Sequence, residues 1–148
     1  MTDARWLDIE ADATSSVDHF AHAVQIYRGP DLHEQTMDGY VRRMAFMHAM
    51  LAGHTSLERA LLRILEMQNE DPPSGRQWHA DLINHAGRET GNRPAILPPA
   101  LVHAAGRTRR FRHVCAHAYD TFDPDDADPA VRAAEKLAVA AFRKAIDP

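Results

Sequence analysis

MDGYVRRMAFMHAMLAGHTSLERALLRILEMQN, residues 37–69, carries the longest helical pattern in the chain. Tyr40, Met44, Met47, Leu51, Leu61, Leu62 and Leu65 fall on one side at the three/four spacing of an amphipathic helix. Gly53 interrupts the run midway. Two readings meet there. Thr55-Ser56-Leu57-Glu58 fits a capping box, which would break the helix. The apolar stripe keeps its phase across the glycine, which favours one continuous helix. In that case His54 and Glu58 lie on the apolar stripe as a polar island, placed to orient a catalytic group.

The same periodicity extends to both sides of this segment. Residues 4–28 carry Trp6, Ile9, Ala13, Val17, Phe20, Val24 and Tyr27 on one face, and Gly29-Pro30 ends that helix. Asp71-Pro72-Pro73 ends the second helix. Ser74-Gly75-Arg76-Gln77 reads as a capping box opening a short third helix through Trp78, Leu82 and Ile83, with Trp78 as a core anchor. Residues 87–99 form a loop rich in Gly and Pro. A fourth helix is expected over residues 99–121, followed by an acidic turn over residues 122–128. Pro129 suits the first position of a fifth helix capped by Asp128, with Val131, Ala134, Ala138, Phe142 and Ala145 inward. No segment reads as a strand. The fold expected is an all-α, up-and-down bundle with one additional short helix, a single domain over residues 1–148.

Composition limits what such a domain can be. Its 148 residues suffice for a hydrophobic core, and the mix of 45% hydrophobic and 26% charged residues is that of a soluble globular protein. The lone Cys115 rules out an internal disulfide, and the N-terminal stretch carries acidic residues without an apolar run. No segment approaches the roughly 20 apolar residues of a membrane span. A cytoplasmic protein with no membrane association is expected. The formal charge of −4 excludes a generic basic nucleic-acid binder. The charge is uneven, however. Arg107, Arg109, Arg110 and Arg112 cluster, and Asp120, Asp123, Asp125, Asp126 and Asp128 follow. A local basic patch can hold phosphate on an acidic protein. The aspartates read as a solvated turn and helix cap, or as a screen that RNA or a partner displaces.

The fourth helix carries the chemistry. Arg110-Phe111-Arg112-His113-Val114-Cys115-Ala116-His117-Ala118-Tyr119 puts fixed cations, titratable imidazoles and a phenol close together. Arginine clamps phosphate and histidine shuttles protons near neutral pH. At about 100° per residue, Phe111, Cys115, Ala118 and Phe122 form the packing face. Arg112 and Tyr119 share one flank, and Arg110, His113 and His117 share the other. Arg112 and His117 are then about 140° apart on an ideal helix. They reach one phosphorus atom if the long Arg112 side chain wraps round, if the helix is distorted, or if two copies meet at a two-fold seam. The dimer is the favoured reading.

Arg112-x4-His117-x-Tyr119 matches the R-x4-H-x-Y signature of the HEPN superfamily. The string RRFRHVCAHAYDTFD, residues 109–123, resembles HepT-type ribonuclease toxins. The resemblance implies an HEPN-like helical domain and metal-independent RNA cleavage at a composite site of a homodimer. His117 would then be general base or acid, Arg112 would stabilise charge on the phosphate, and Tyr119 would orient substrate. Arg109, Arg110 and His113 are supporting or RNA-binding candidates. The resemblance also implies a cognate antitoxin, typically a minimal nucleotidyltransferase, with Tyr119 as the candidate acceptor of AMP. One departure is His113, where the family often carries Asn or another small polar residue. Arg110 also stands at an R-x6-H spacing from His117. The alternative is a catalytically silent HEPN module that binds a nucleotidyltransferase or a nucleotide.

The remaining candidates have plainer readings. His113 and His117 are four apart and His79 and His85 six apart, yet no carboxylate completes a motif such as H-E-x-x-H. No metal site and no cofactor are expected. Met44, Met47 and Met50 read as core or dimer surface, and Cys115 as a small buried hydrophobe.

Overall fold

The computed structural model describes residues 4–139. Five α-helices follow one another: α1 (Ala4–Arg28), α2 (Met37–Met67), α3 (Trp78–Ala86), α4 (Pro99–His117) and α5 (Asp128–Ala138). Helix α1 packs on α2 and α5, and α4 packs on the same two, so these four close a ring. The short α3 lies against α4 and α2. This is the all-α bundle with one extra helix that the periodicity predicts, and no strand occurs among the described residues. Side-chain pairs set the directions. Asp12 meets Arg63, Ser16 meets Gly53, and Tyr27 meets Phe46, so α1 and α2 run antiparallel. Phe46 meets Phe111 and His54 meets Thr108, so α2 and α4 do too.

Helix α2 is continuous through Gly53, and the reason a glycine sits there is steric. A Cβ at this position would stand 2.7 Å from Cδ1 of the fully buried Phe20. The missing side chain lets α1 approach closely enough for the Ser16 hydroxyl to donate to the Gly53 carbonyl at 2.8 Å. The capping box at Thr55 does not form, and Glu58 is used elsewhere. Most of the predicted stripe positions form the core. Ile9, Ala13, Phe20, Val24, Met47, Met50, Leu61 and Leu65 are buried, with Trp6, Val17, Met44 and Trp78 packed partly against them. Tyr40 departs from its stripe and is exposed.

Three boundaries differ from expectation. Helix α4 ends at His117, not near Thr121, and Tyr119–Thr121 form a 3-10 turn. The chain turns because Phe122 returns to the core, stacked 5.9 Å from Phe46 and edge-on at 5.8 Å to Phe111. Asp123 precedes proline and is extended, as that position favours. A second 3-10 turn, Pro124–Ala127, then runs straight into α5. Asp128 is therefore the first helical residue, not an extended cap, and it pairs with Arg132 at 2.9 Å. At α3 the capping box is absent. Gln77 precedes the helix without a side-chain hydrogen bond, and Gly75 turns the chain at φ 100°. The inward positions Phe142 and Ala145 lie outside the described residues.

The loop from α3 to α4 is held by a cluster that the periodicity does not announce. Buried Arg93 grips Glu70 at the end of α2 through Nε–Oε2 (2.6 Å) and Nη2–Oε1 (3.0 Å). It also donates to the carbonyls of Arg88 and Pro94. His85 Nε2 lies 2.8 Å from Glu70 Oε1. The Arg93 guanidinium, foremost, holds the Glu70 carboxyl below the usual carboxylate range. This clamp ties the end of α3 and the loop after it to the chain just past α2. No described helix is long and apolar enough to cross a membrane.

Candidate active site

Helix α3 lies across α4 and the two enclose a cleft of about 500 Å³. Arg76, Gln77, His79 and Ala80 form one wall, and Arg109, Arg112, His113 and His117 form the other. Three guanidinium groups and three imidazoles face one space, with no carboxylate among the described residues lining it. On a chain of formal charge −4 this is a concentrated anion-attracting basin. Two features of α4 allow Arg112 and His117 to share it. His117 is the exposed last residue of the helix. Arg112 is half-buried, and its Nε atom is fully buried with no hydrogen-bond partner among the described residues. The long side chain thus runs beneath the helix surface toward the cleft. One chain suffices to bring the two residues to one cleft, so the 140° separation does not by itself call for a second copy. The His113 and His117 rings lie 4.7 Å apart, as their spacing of four dictates.

Beneath the cleft runs a chain of buried polar groups. Thr108 donates its hydroxyl proton to the Ala105 carbonyl at 3.1 Å. Its oxygen must then accept from His54 Nδ1, 2.8 Å away. This makes His54 the Nδ1–H tautomer and leaves Nε2 as an acceptor. That nitrogen is buried without a hydrogen-bond partner among the described residues, 3.5 Å from Glu58 Oε2. Burial pushes the His54 pKa down and the nearby Arg112 charge adds to this, outweighing the pull of Glu58. His54 is therefore a neutral ring in the folded core.

Glu58 is buried as well, yet its carboxyl is held below the ordinary range. Burial alone would raise it, but the neighbouring histidines, with His79 in direct hydrogen-bond contact, hold it down. The ionised Glu58 accepts from His79 Nδ1 at 2.5 Å. His79 is partly exposed and stacks on Trp78 at 3.6 Å. It spans the distance from the buried carboxylate to the cleft. The polar island expected at His54 and Glu58 thus exists, and it supports a histidine on a different helix.

Of the predicted site residues, Arg109, Arg112, His113 and His117 come together. Arg110 is exposed and does not line the cleft. Tyr119 lines a different hollow with His33, Tyr40 and Arg43, because α4 stops two residues before it and the 3-10 turn breaks its register with Arg112. Cys115 is half-buried, and burial pushes its thiol up to about 12, so it is no nucleophile at neutral pH. Sequence reasoning missed Arg76 and His79 as wall residues. The signal available was Glu58, an ionisable group on an apolar stripe whose neighbour one turn earlier, His54, is buried on the same stripe. Among the described residues no cluster of three or more His, Cys, Asp or Glu is arranged to hold a metal ion.

No curated protein and no solved structure matches the chain. A family model described as HepT-like protein matches residues 45–147, which takes in most of α2 and both walls of the cleft. With that match over well more than half its length, on a helical bundle that carries Arg112 and His117 in one basic cleft, the chain belongs to the HepT-like family of the HEPN superfamily.

Proposed function

We propose that the protein is a metal-independent ribonuclease toxin that cuts RNA in the cleft between α3 and α4. The observation that carries this reading is the gathering of Arg112 and His117 in one basic space of one chain. The half-buried Arg112 side chain offers charge-assisted hydrogen bonds to a phosphate oxygen, and these strengthen as negative charge develops. His117 transfers a proton to or from the reacting oxygens. Arg109, Arg76 and His113 hold flanking phosphates. General acid–base catalysis contributes typically about 10²–10⁴-fold, which sets the loss expected on removing the His117 imidazole.

Arg110, His113, Ala116 and His117 leave the outer flank of α4 exposed, and the homodimer proposed here joins two clefts along it. Tyr119 is exposed and outside its own cleft, which favours a role as acceptor of AMP from a nucleotidyltransferase antitoxin over a role in touching substrate. Exposed Met37, Tyr40 and Val41 at the start of α2 support a docking face for such a partner, since Tyr40 and Tyr119 share a hollow.

The test is incubation of the purified chain with total RNA in EDTA, wild type beside His117→Ala and Arg112→Ala. Cleavage by the wild type and its loss in both variants is the expected result. Undiminished cleavage in the variants would reject the site, and cleavage only after addition of a divalent ion would reject the mechanism. A wild type that binds RNA or nucleotide without cutting would favour the silent binding module.

A further inference from the structure

Glu58 and His79 form a pair that the Arg112–His117 motif does not use. They stand 21 residues apart, on α2 and α3, and meet at 2.5 Å between Oε2 and Nδ1. The carboxylate is buried while the imidazole lines the cleft, facing a wall that carries Arg109, Arg112, His113 and His117. Since Nδ1 is taken by Glu58, Nε2 is the remaining proton site of the ring. A histidine fixed at one nitrogen by a buried carboxylate has its tautomer and orientation set, which is how a proton-transfer group is prepared.

We infer that His79 is the second proton-transfer residue of the cleft, acting across it from His117, and that Glu58 is its positioning residue. This rests on the ribonuclease reading above. Strand cleavage by the neighbouring 2′-hydroxyl needs two proton transfers. The 2′-oxygen forms a bond to phosphorus while the bond from phosphorus to the 5′-oxygen breaks. One imidazole takes the 2′-hydroxyl proton, and the other gives its proton to the departing 5′-oxygen. The products are a 2′,3′-cyclic phosphate and a 5′-hydroxyl, and no further reactant is consumed. The two imidazoles end with their protons exchanged and are reset through solvent. A single imidazole must serve both oxygens in turn, whereas His79 and His117 divide the work between opposite walls.

The experiment measures steady-state cleavage of a short RNA over a range of pH by wild type, His79→Ala, His79→Asn, Glu58→Gln and His117→Ala, with His22→Ala on exposed α1 as a control. Folding is checked by thermal melting. His79→Ala is expected to lose about 10²–10⁴-fold in kcat, with KM within about threefold and one limb of the pH–rate profile missing. Added imidazole restores part of its activity. His79→Asn, which still reaches Glu58 but cannot shuttle a proton, is expected to be as impaired. Glu58→Gln loses less than His79→Ala and keeps KM. His79→Ala with wild-type kcat beside an inactive His117→Ala would overturn the proposal and leave the ribonuclease reading standing. So would an impaired His79→Ala that keeps both pH limbs and gains nothing from imidazole, since that is a structural loss. A wild type inactive on RNA would overturn the ribonuclease reading, and this proposal with it.

Discussion

A fully buried neutral histidine makes the stability of this fold depend on pH. His54 is sealed in the core, and burial foremost holds its pKa below the ordinary histidine value of 6.5. In the unfolded chain the ring takes up a proton below about pH 6.5. In the folded chain it takes one up only at lower pH. Stability from this residue is therefore fully present above pH 6.5 and is lost as pH falls toward the folded value. Linkage sets the slope at up to about 1.4 kcal/mol per pH unit for one proton. Between pH 7 and pH 5 the unfolded ring goes from roughly one quarter to nearly fully protonated, so the integrated loss has a ceiling of about 2 kcal/mol. Glu58 acts in the same sense but lower, because its depressed carboxyl contributes stability above the ordinary carboxyl value of 4.5 that disappears as pH falls through the folded value. The two windows are thus separable. Urea unfolding at half-unit steps from pH 7.5 to pH 5 reads the His54 window in the wild type. The same series on His54→Asn removes the titrating ring. The wild type is expected to lose stability across pH 7–5, by up to about 2 kcal/mol, and the variant a markedly smaller amount whatever its starting stability. A flat wild-type profile, or an equal slope in the variant, would refute the assignment of His54 as a buried neutral ring.

Three further outcomes follow from packing. Gly53→Ala would gain about 1 kcal/mol in helix propensity at an open site, but here its Cβ meets the Phe20 ring at 2.7 Å. Overpacking costs of about 1–3 kcal/mol prevail, so a lowered melting temperature is expected, and a raised one would show that α1 and α2 can separate freely. Arg93→Ala removes the grip on Glu70 and leaves a partly buried carboxylate held by His85 alone. A loss of about 3 kcal/mol is expected by chemical denaturation, and a loss under about 1 kcal/mol would show the clamp to be a solvated surface pair. Tyr119→Phe is expected to cut RNA within about threefold of wild type (an interaction worth less than about 0.7 kcal/mol by transition-state arithmetic) while losing the modifiable hydroxyl, and abolished cleavage would return Tyr119 to the catalytic set.

The helices could be read from the sequence because each buries a stripe, and a stripe is a local periodic signal. Helix α1 falls on its predicted residues, and α2 runs through Gly53 as its phase suggests. The end of α4 could not be read that way. On an ideal helix Phe122 shares a face with Phe111, so continuing the helix and folding back both bury it. The choice depends on Phe46 being there to receive Phe122, a contact across 76 positions. That same choice moves Tyr119 out of register and splits the predicted trio. The cleft shows the matching limit for the site. Angles around α4 treat it as a bare cylinder, and on a bare cylinder Arg112 and His117 face apart. Helix α3 covers part of that cylinder, and the half-buried Arg112 and the exposed end at His117 then border the same space. The end of α3 and the loop after it are tied down by Arg93, Glu70 and His85, polar residues whose partners carry no periodic mark. An ionisable residue on an apolar stripe is the signal that does survive in one dimension. Glu58 had to find a cation or a hydrogen-bond donor on another element, because a buried carboxylate without one costs several kcal/mol. The donor it found is His79, which is why a residue in the core of α2 bears on the chemistry at the surface of α4.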